Sequence, residues 1–264
     1  MLLNRAKLPP PPLRAERMLF AGAAALALVS SVVWFCLIGG QMSGDWRGSI
    51  DPATLELVAR GTRFGQIAVA RFAGLVALWL LSMSAAARRS VSVPILAGLL
   101  LVLLAPSGHA AAADQGIAIA GAVADGAHLL TAGFWLGALI TLATLLLQRA
   151  PDRAALPGAL GLFSLWGSFA VAILVITGAI NAAVIVPLSA ANFRDPYFNL
   201  LLLKVGLAAM MIGLAALNRW RFAPALDRGQ DGAVRHLTGS VGIEIALGIG
   251  VVTLAACLGI MGPE

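Results

Sequence analysis

Asp125 and His128 lie three residues apart in an apolar stretch, Gly116 to Leu147, that is long enough to cross a bilayer. On a helix that spacing sends both side chains from one face. Carboxylate and imidazole are typical ligands for divalent transition metals, so Asp-x-x-His offers one of each within a turn. Ionisable groups are costly in hydrocarbon, and where they occur they face a protein interior and take part in binding or transport. At about 1.5 Å per residue, His128 lies roughly 16 Å beyond Ile117, about half of a ~30 Å hydrocarbon core. Gly108-His109 places a second imidazole at the mouth of the same helix hairpin. Thr131 and Trp135 extend the polar face. Gly133 and Gly137, spaced small-xxx-small on roughly the opposite side, predict a neighbouring helix in close approach.

Four further polar residues fall inside apolar runs: Arg71, Asn181, Lys204 and Glu244. They belong to a transport path or are structural charge. A charge in this medium needs a partner, so pairing among Arg71, Lys204, Asp125 and Glu244 is the expectation. Lys204, Met211 and Asn218 recur at sevens and share a helix face. Met211 is a soft thioether, but methionine also packs adaptably, and packing is the simpler reading. Cys36 and Cys257 both sit in apolar runs, where lone cysteines are usually small inert hydrophobes, and no disulfide framework is indicated. His236 stands beside Arg235 in a basic segment and reads as solvated.

The elements that must position these residues follow from composition. The chain has 264 residues, 60% hydrophobic and 11% charged, with mean hydropathy +0.92. A soluble domain carries about 25% charged residues, so this is an all-α polytopic membrane bundle. A tail, residues 1–17, with Pro9 to Pro12, precedes one transmembrane domain, 18–260. Seven spans are expected, at about 18–38, 64–87, 91–104, 117–147, 161–186, 198–217 and 237–260. The third needs flanking residues to cross. Pro52 to Ala59 is expected to form a short interfacial helix, and Arg219 to His236 a basic loop.

Seven spans place the termini on opposite sides. Twelve of the eighteen Lys and Arg residues fall on the amino-terminal side and four on the other, with Arg71 and Lys204 inside spans. The positive-inside rule then makes the amino terminus cytoplasmic and the carboxyl terminus periplasmic, with His109 facing outward. The formal charge of +6 is thus a topology signal and does not point to nucleic acid. No P-loop, Gly-x-Ser-x-Gly or His-Glu-x-x-His occurs, so nothing indicates ATP hydrolysis or hydrolytic catalysis, and no enzyme is expected.

Several motifs occur in order: Gly108-His109-Ala110, Ala124-Asp125-Gly126-Ala127-His128-Leu129-Leu130, and Phe134-Trp135-Leu136-Gly137. Thr177-Gly178-Ala179-Ile180-Asn181-Ala182 and Leu200 to Lys204 come next, followed by Ala216 to Trp220 with Pro224, and Glu244 to Gly248. Together they resemble the CopD/PcoD copper-resistance membrane proteins over about Trp34 to Leu258. The resemblance implies a multi-pass bacterial inner-membrane protein that handles copper and moves it from periplasm to cytoplasm, often beside a periplasmic CopC-like partner. Family members usually begin with an additional histidine-bearing helix that has no counterpart here. The ligand set expected is His109, Asp125 and His128. Two other readings stay open: a non-transporting assembly or sensing module for a copper enzyme, and a b-type haem redox protein. Bis-histidine haem ligation would need two intramembrane histidines, and only His128 qualifies.

Overall fold

The computed structural model describes residues 13–88, 90–105, 115–147, 156–185 and 195–261. Regular structure among them is entirely helical. His109, most of the 1–17 tail and the loop before Asp195 lie outside the described residues. Six helices are long and apolar enough to cross a membrane, lying within Arg17–Ser43, Arg63–Met83, Ile119–Leu146, Gly158–Ala183, Pro196–Asp227 and Ala233–Gly259. They fit a multi-pass membrane protein. The third expected span, 91–104, forms only an 11-residue helix, Ser92–Val102. At about 1.5 Å per residue it covers roughly half the hydrocarbon thickness. The seven spans expected from sequence are therefore six full-length helices and one short one among the described residues. The chain divides into two compact units, one within residues 10–111 and the other from residue 112 onward.

In the first unit, α1 (Leu13–Ser43) leads through a 3-10 turn (Trp46–Ser49) to α2 (Pro52–Gly61), α3 (Arg63–Met83), α4 (Ala85–Arg88) and α5 (Ser92–Val102). The expected interfacial helix is α2, and its start is dictated locally. Asp51 caps it by accepting from the Thr54 backbone N–H at 2.9 Å and the Thr54 hydroxyl at 2.6 Å, and Pro52 fills the first turn, where no N–H is needed. These bonds, the Thr54 hydroxyl first, hold the Asp51 carboxyl below its ordinary range. Thr62 both ends α2 and begins α3, donating to the Val58 carbonyl at 2.7 Å and accepting from the Gly65 N–H at 2.9 Å. With a one-residue joint, the start of α3 runs against the end of α2. A Cβ at Gly65 would stand 2.0 Å from the Val58 carbonyl oxygen, so only glycine fits.

Arg71 ties three helices together. Its Nη1 donates to Ser31 Oγ on α1 at 2.8 Å, and its Nε donates to the Leu100 carbonyl on α5 at 3.1 Å. That carbonyl lies in the last turn of α5, where Leu103 bonds back to Leu99 and Leu104 to Leu101. Phe64 adds edge and stacked contacts with Trp34 and Phe35 at centroid distances of 5.2 and 6.2 Å.

In the second unit, α6 (Gln115–Leu146), α7 (Leu156–Ile185), α8 (Pro196–Leu217), a π turn (Asn218–Phe222), α9 (Ala223–Asp227) and α10 (Ala233–Ile260) pack together. Trp135, Leu139, Leu142 and Leu146 form a helical stripe on α6 that packs with Leu156 and Leu160 of α7, Met211 of α8, and Leu237 and Val241 of α10. This core lies toward one end of α6, leaving Asp125 and His128 toward the other. Met211 is buried in it, as the packing reading expects. Gly133 and Gly137 are exposed, and a Cβ at Gly137 would meet nothing within 4 Å. The close helix approach expected there is absent among the described residues, because the buried stripe of α6 runs along its other face.

The basic loop expected at Arg219 to His236 is largely helical. Pro224 cannot donate to Trp220 and its ring crowds that carbonyl, so the helix widens and the Ala223 N–H reaches back five residues to Asn218. The real turn is short, with Gly229 and Gly232 at φ of 64° and 79°. His236 stands in the first turn of α10, exposed, with its ring stacked on Phe222 at 5.9 Å.

Gly65→Ala should destabilise the purified protein by about 1–3 kcal/mol, the usual range for overpacking, because the new methyl meets backbone and cannot be relieved by a rotamer change. Gly137→Ala should be neutral or slightly stabilising. Thermal unfolding in detergent micelles reads both, and equal behaviour of the two variants would refute the crowded joint.

Candidate metal centre

Helices α6 and α7 run antiparallel and meet in two polar rungs. Asp125 Oδ1 accepts from Asn181 Nδ2 at 3.3 Å, and His128 Nδ1 lies 2.9 Å from Thr177 Oγ1. The spacings match: three residues on α6 and four on α7 each keep their pair on one face. Both histidine and aspartate are partly buried, and Thr177 is buried.

The threonine decides what the imidazole can do. Thr177 has one hydroxyl hydrogen, and its oxygen lies 2.6 Å from the Ile173 carbonyl, the familiar back-bond to the preceding turn. With that hydrogen on the Ile173 carbonyl, Thr177 accepts from Nδ1 and Nε2 keeps a lone pair, which is the tautomer the back-bond favours. The Leu174 carbonyl also interacts with the imidazole, on the same α7 side. An imidazole pinned through one nitrogen by an outer partner is the usual arrangement of a metal-ligating histidine. Gly178 lies against the ring, where a Cβ would be 3.5 Å from Cε1, an ordinary contact.

Among the described residues no buried charges come within 4 Å of one another as ion pairs. The Glu56–Arg60 pair, exposed on α2, is the only ion pair among the described residues. Amides replace cations as partners: Asn181 serves Asp125, and Asn218 serves Glu244. Arg71 uses its own unit's Ser31 and Leu100 carbonyl. Lys204 on α8 is the cation whose charge acts on both Asp125 and His128.

The donor set, one imidazole nitrogen and one carboxylate, suits a first-row transition metal. Among the described residues no three of histidine, cysteine, aspartate and glutamate converge. Thr177 was legible in sequence only as part of the Thr177-Gly178 motif. Its role as the acceptor that orients His128 needs the α6–α7 register to be seen.

Two family profiles match the chain: Copper resistance protein D over residues 157–258, and the Copper resistance protein D-like N-terminal domain over residues 1–121. Copper resistance protein D of Pseudomonas syringae pv. tomato is 30% identical over 263 residues, covering 94% of this chain and 84% of the relative. Inner membrane protein YebZ of Escherichia coli is 27% identical over 246 residues, 91% of this chain and 83% of the relative. Copper transport protein CutJ of Bacillus subtilis is 28% identical over 254 residues, 92% of this chain but 45% of the relative's length. No solved structure matches.

The assigned tautomer is directly measurable. Ring nitrogen NMR on histidine-labelled protein should show His128 protonated at Nδ1, and Thr177→Val should shift that resonance while leaving His236 unchanged. A wild-type ring protonated at Nε2 would overturn the assignment.

Proposed function

We infer that this chain, which belongs to the copper resistance protein D family, binds copper at Asp125 and His128 and passes it from periplasm to cytoplasm. The observation that carries this reading is the contact of His128 Nδ1 with Thr177 Oγ1 at 2.9 Å, which orients the ring through one nitrogen. Copper is cargo here, and the protein acts as a carrier without a catalytic step. With seven crossings of one transmembrane domain, the excess of Lys and Arg on one side supports an amino terminus in the cytoplasm. In a bacterial inner membrane, where the relative YebZ is named to reside, that orientation turns the Gly108-His109 stretch toward the periplasm. His109 is then the first ligand met by an ion delivered by a CopC-like protein. Exchange between a ligand at the mouth and one at depth avoids a full return to water.

Lys204 gives this site a resting state. Its ammonium offsets the Asp125 charge when copper is absent, and an arriving cation must displace it electrostatically. Asp125 assists the imidazole, Asn181 holds Asp125, and Arg71 stays a structural brace.

Copper uptake into proteoliposomes, supplied as Cu(II) and as Cu(I) with ascorbate, tests the reading. His128→Ala should abolish uptake at every concentration. His109→Ala should lower it at limiting copper and recover at high copper. Asp125→Asn should weaken binding by about 10- to 100-fold, the scale for groups that support a ligand. Stoichiometric binding without uptake by the wild type would remove the transport half. Unchanged binding by folded His128→Ala would remove the site.

Lys204→Met tests the resting state separately. Equilibrium binding of copper to the purified variant should tighten several-fold and its release should slow. Weaker binding would mean that the ammonium supports the site instead of opposing its cargo.

A further inference from the structure

A second polar cluster lies on α8, the π turn and α10, away from His128. Asn218, Ser240 and Glu244 are all buried, Glu244 completely. Asn218 Nδ2 donates to Glu244 Oε1 in a short contact. Three oxygens of the cluster have no hydrogen-bond partner: Asn218 Oδ1, Ser240 Oγ and Glu244 Oε2. Ser240 precedes Glu244 by one helical turn, so both face the same pocket.

A count of hydrogens identifies what is missing. With Glu244 ionised, Oε2 and Asn218 Oδ1 are acceptors, and only the Ser240 hydroxyl can donate. One donor cannot serve both, and a buried carboxylate left short of partners is strongly unfavourable. One more positive centre is required. Glu244 has no accessible surface, so no water-sized space touches it, and a hydrated metal ion does not fit. A proton needs no space. Bound to Oε2, it removes the net charge and turns that oxygen from an acceptor into a donor among the cluster's unpartnered oxygens.

Among the described residues no neighbouring ionisable group competes for this role. On α6 the ionisable residues are Asp125 and His128, both bonded to α7. On α8, Lys204 precedes Asn218 by fourteen residues, about 21 Å along a helix. On the π turn, Arg219 donates to the Ser164 carbonyl and Ser168 on α7, and Arg221 is exposed. Asp227 of α9 and Arg235 and His236 of α10 are exposed.

We propose that Glu244 is an intramembrane proton-binding site, closed by Asn218 and Ser240. The π turn begins at Asn218, the residue that holds the acid. Single π turns inside helices recur at functional sites, where they shift a side chain without unfolding the helix. Displacement of the Asn218 side chain from Glu244 is the step that opens the carboxyl to exchange. Uptake takes a proton from hydronium, leaves water, and converts the carboxylate to the neutral acid; release reverses this. Within the copper reading, the site supplies a proton to be moved with or against the cargo.

Infrared spectroscopy of the full-length protein in lipid, without copper, tests the site independently of that reading. At neutral pH a protonated carboxylic acid band should be present, move on carbon-13 labelling of glutamate, and vanish in Glu244→Gln. Ser240→Ala should shift its frequency without removing it, which keeps the test usable if Glu244→Gln does not fold. Absence of the band in wild type, or its persistence in Glu244→Gln, would overturn the proposal. A pH dye inside copper-loaded proteoliposomes then reads coupling: copper-dependent proton movement should occur in wild type and be lost in Glu244→Gln. Copper movement with no proton movement in wild type would refute the coupling and leave the copper site standing.

Discussion

A polar group in an apolar segment must find its partner inside the protein, since no water is present to supply one. This constraint organises the polar chemistry described above. The carboxylates of Asp125 and Glu244, the guanidinium of Arg71 and the ring of His128 each meet a hydroxyl, an amide or a backbone carbonyl on another helix. Each such bond fixes a register between two helices that apolar packing alone would leave free to slide. In the second unit the leucine-rich core holds α6, α7, α8 and α10 together, while the polar rungs set where along their length they meet.

Two polar layers result, separated along α8 by the level of Met211. One holds Asp125, His128, Thr177, Asn181 and the charge of Lys204, and the other holds Asn218, Ser240 and Glu244. At the level between them, a Cβ on Gly248 would stand 2.4 Å from Leu136 Cδ2 and 3.3 Å from Met211 Cε. The backbone of α10 is thus closely covered by apolar and thioether groups of α6 and α8. A soft, adaptable side chain between two polar layers fills the gap that the glycine leaves.

The helical class, the six long apolar segments and the short helix at Pro52 were all legible in the sequence, because length and hydropathy report them directly. The helix ends were less legible. Capping by Asp51 and Thr62 depends on a few hydrogen bonds, and α10 begins at Ala233 although its apolar run starts at Leu237. The Asp125–His128 pair was visible from its spacing, but its partners were not. Sequence reasoning matched charge with charge, whereas the helices brought amides to the acids, since an amide carries a smaller desolvation penalty than a second ion. The glycine pair on α6 misled for a related reason: small-residue spacing shows where close approach is permitted, not where it occurs.

The bond between Arg71 and the Leu100 carbonyl links two features that look separate in the sequence, a charge deep in one helix and the brevity of another. Because α5 stops within a turn of Leu100, no further helical turn crowds that carbonyl, and a guanidinium from α3 reaches it. The brevity of α5 thus turns its last turn into an anchor: one side chain joins that end to the Ser31 hydroxyl of α1 and holds three helices at a common level.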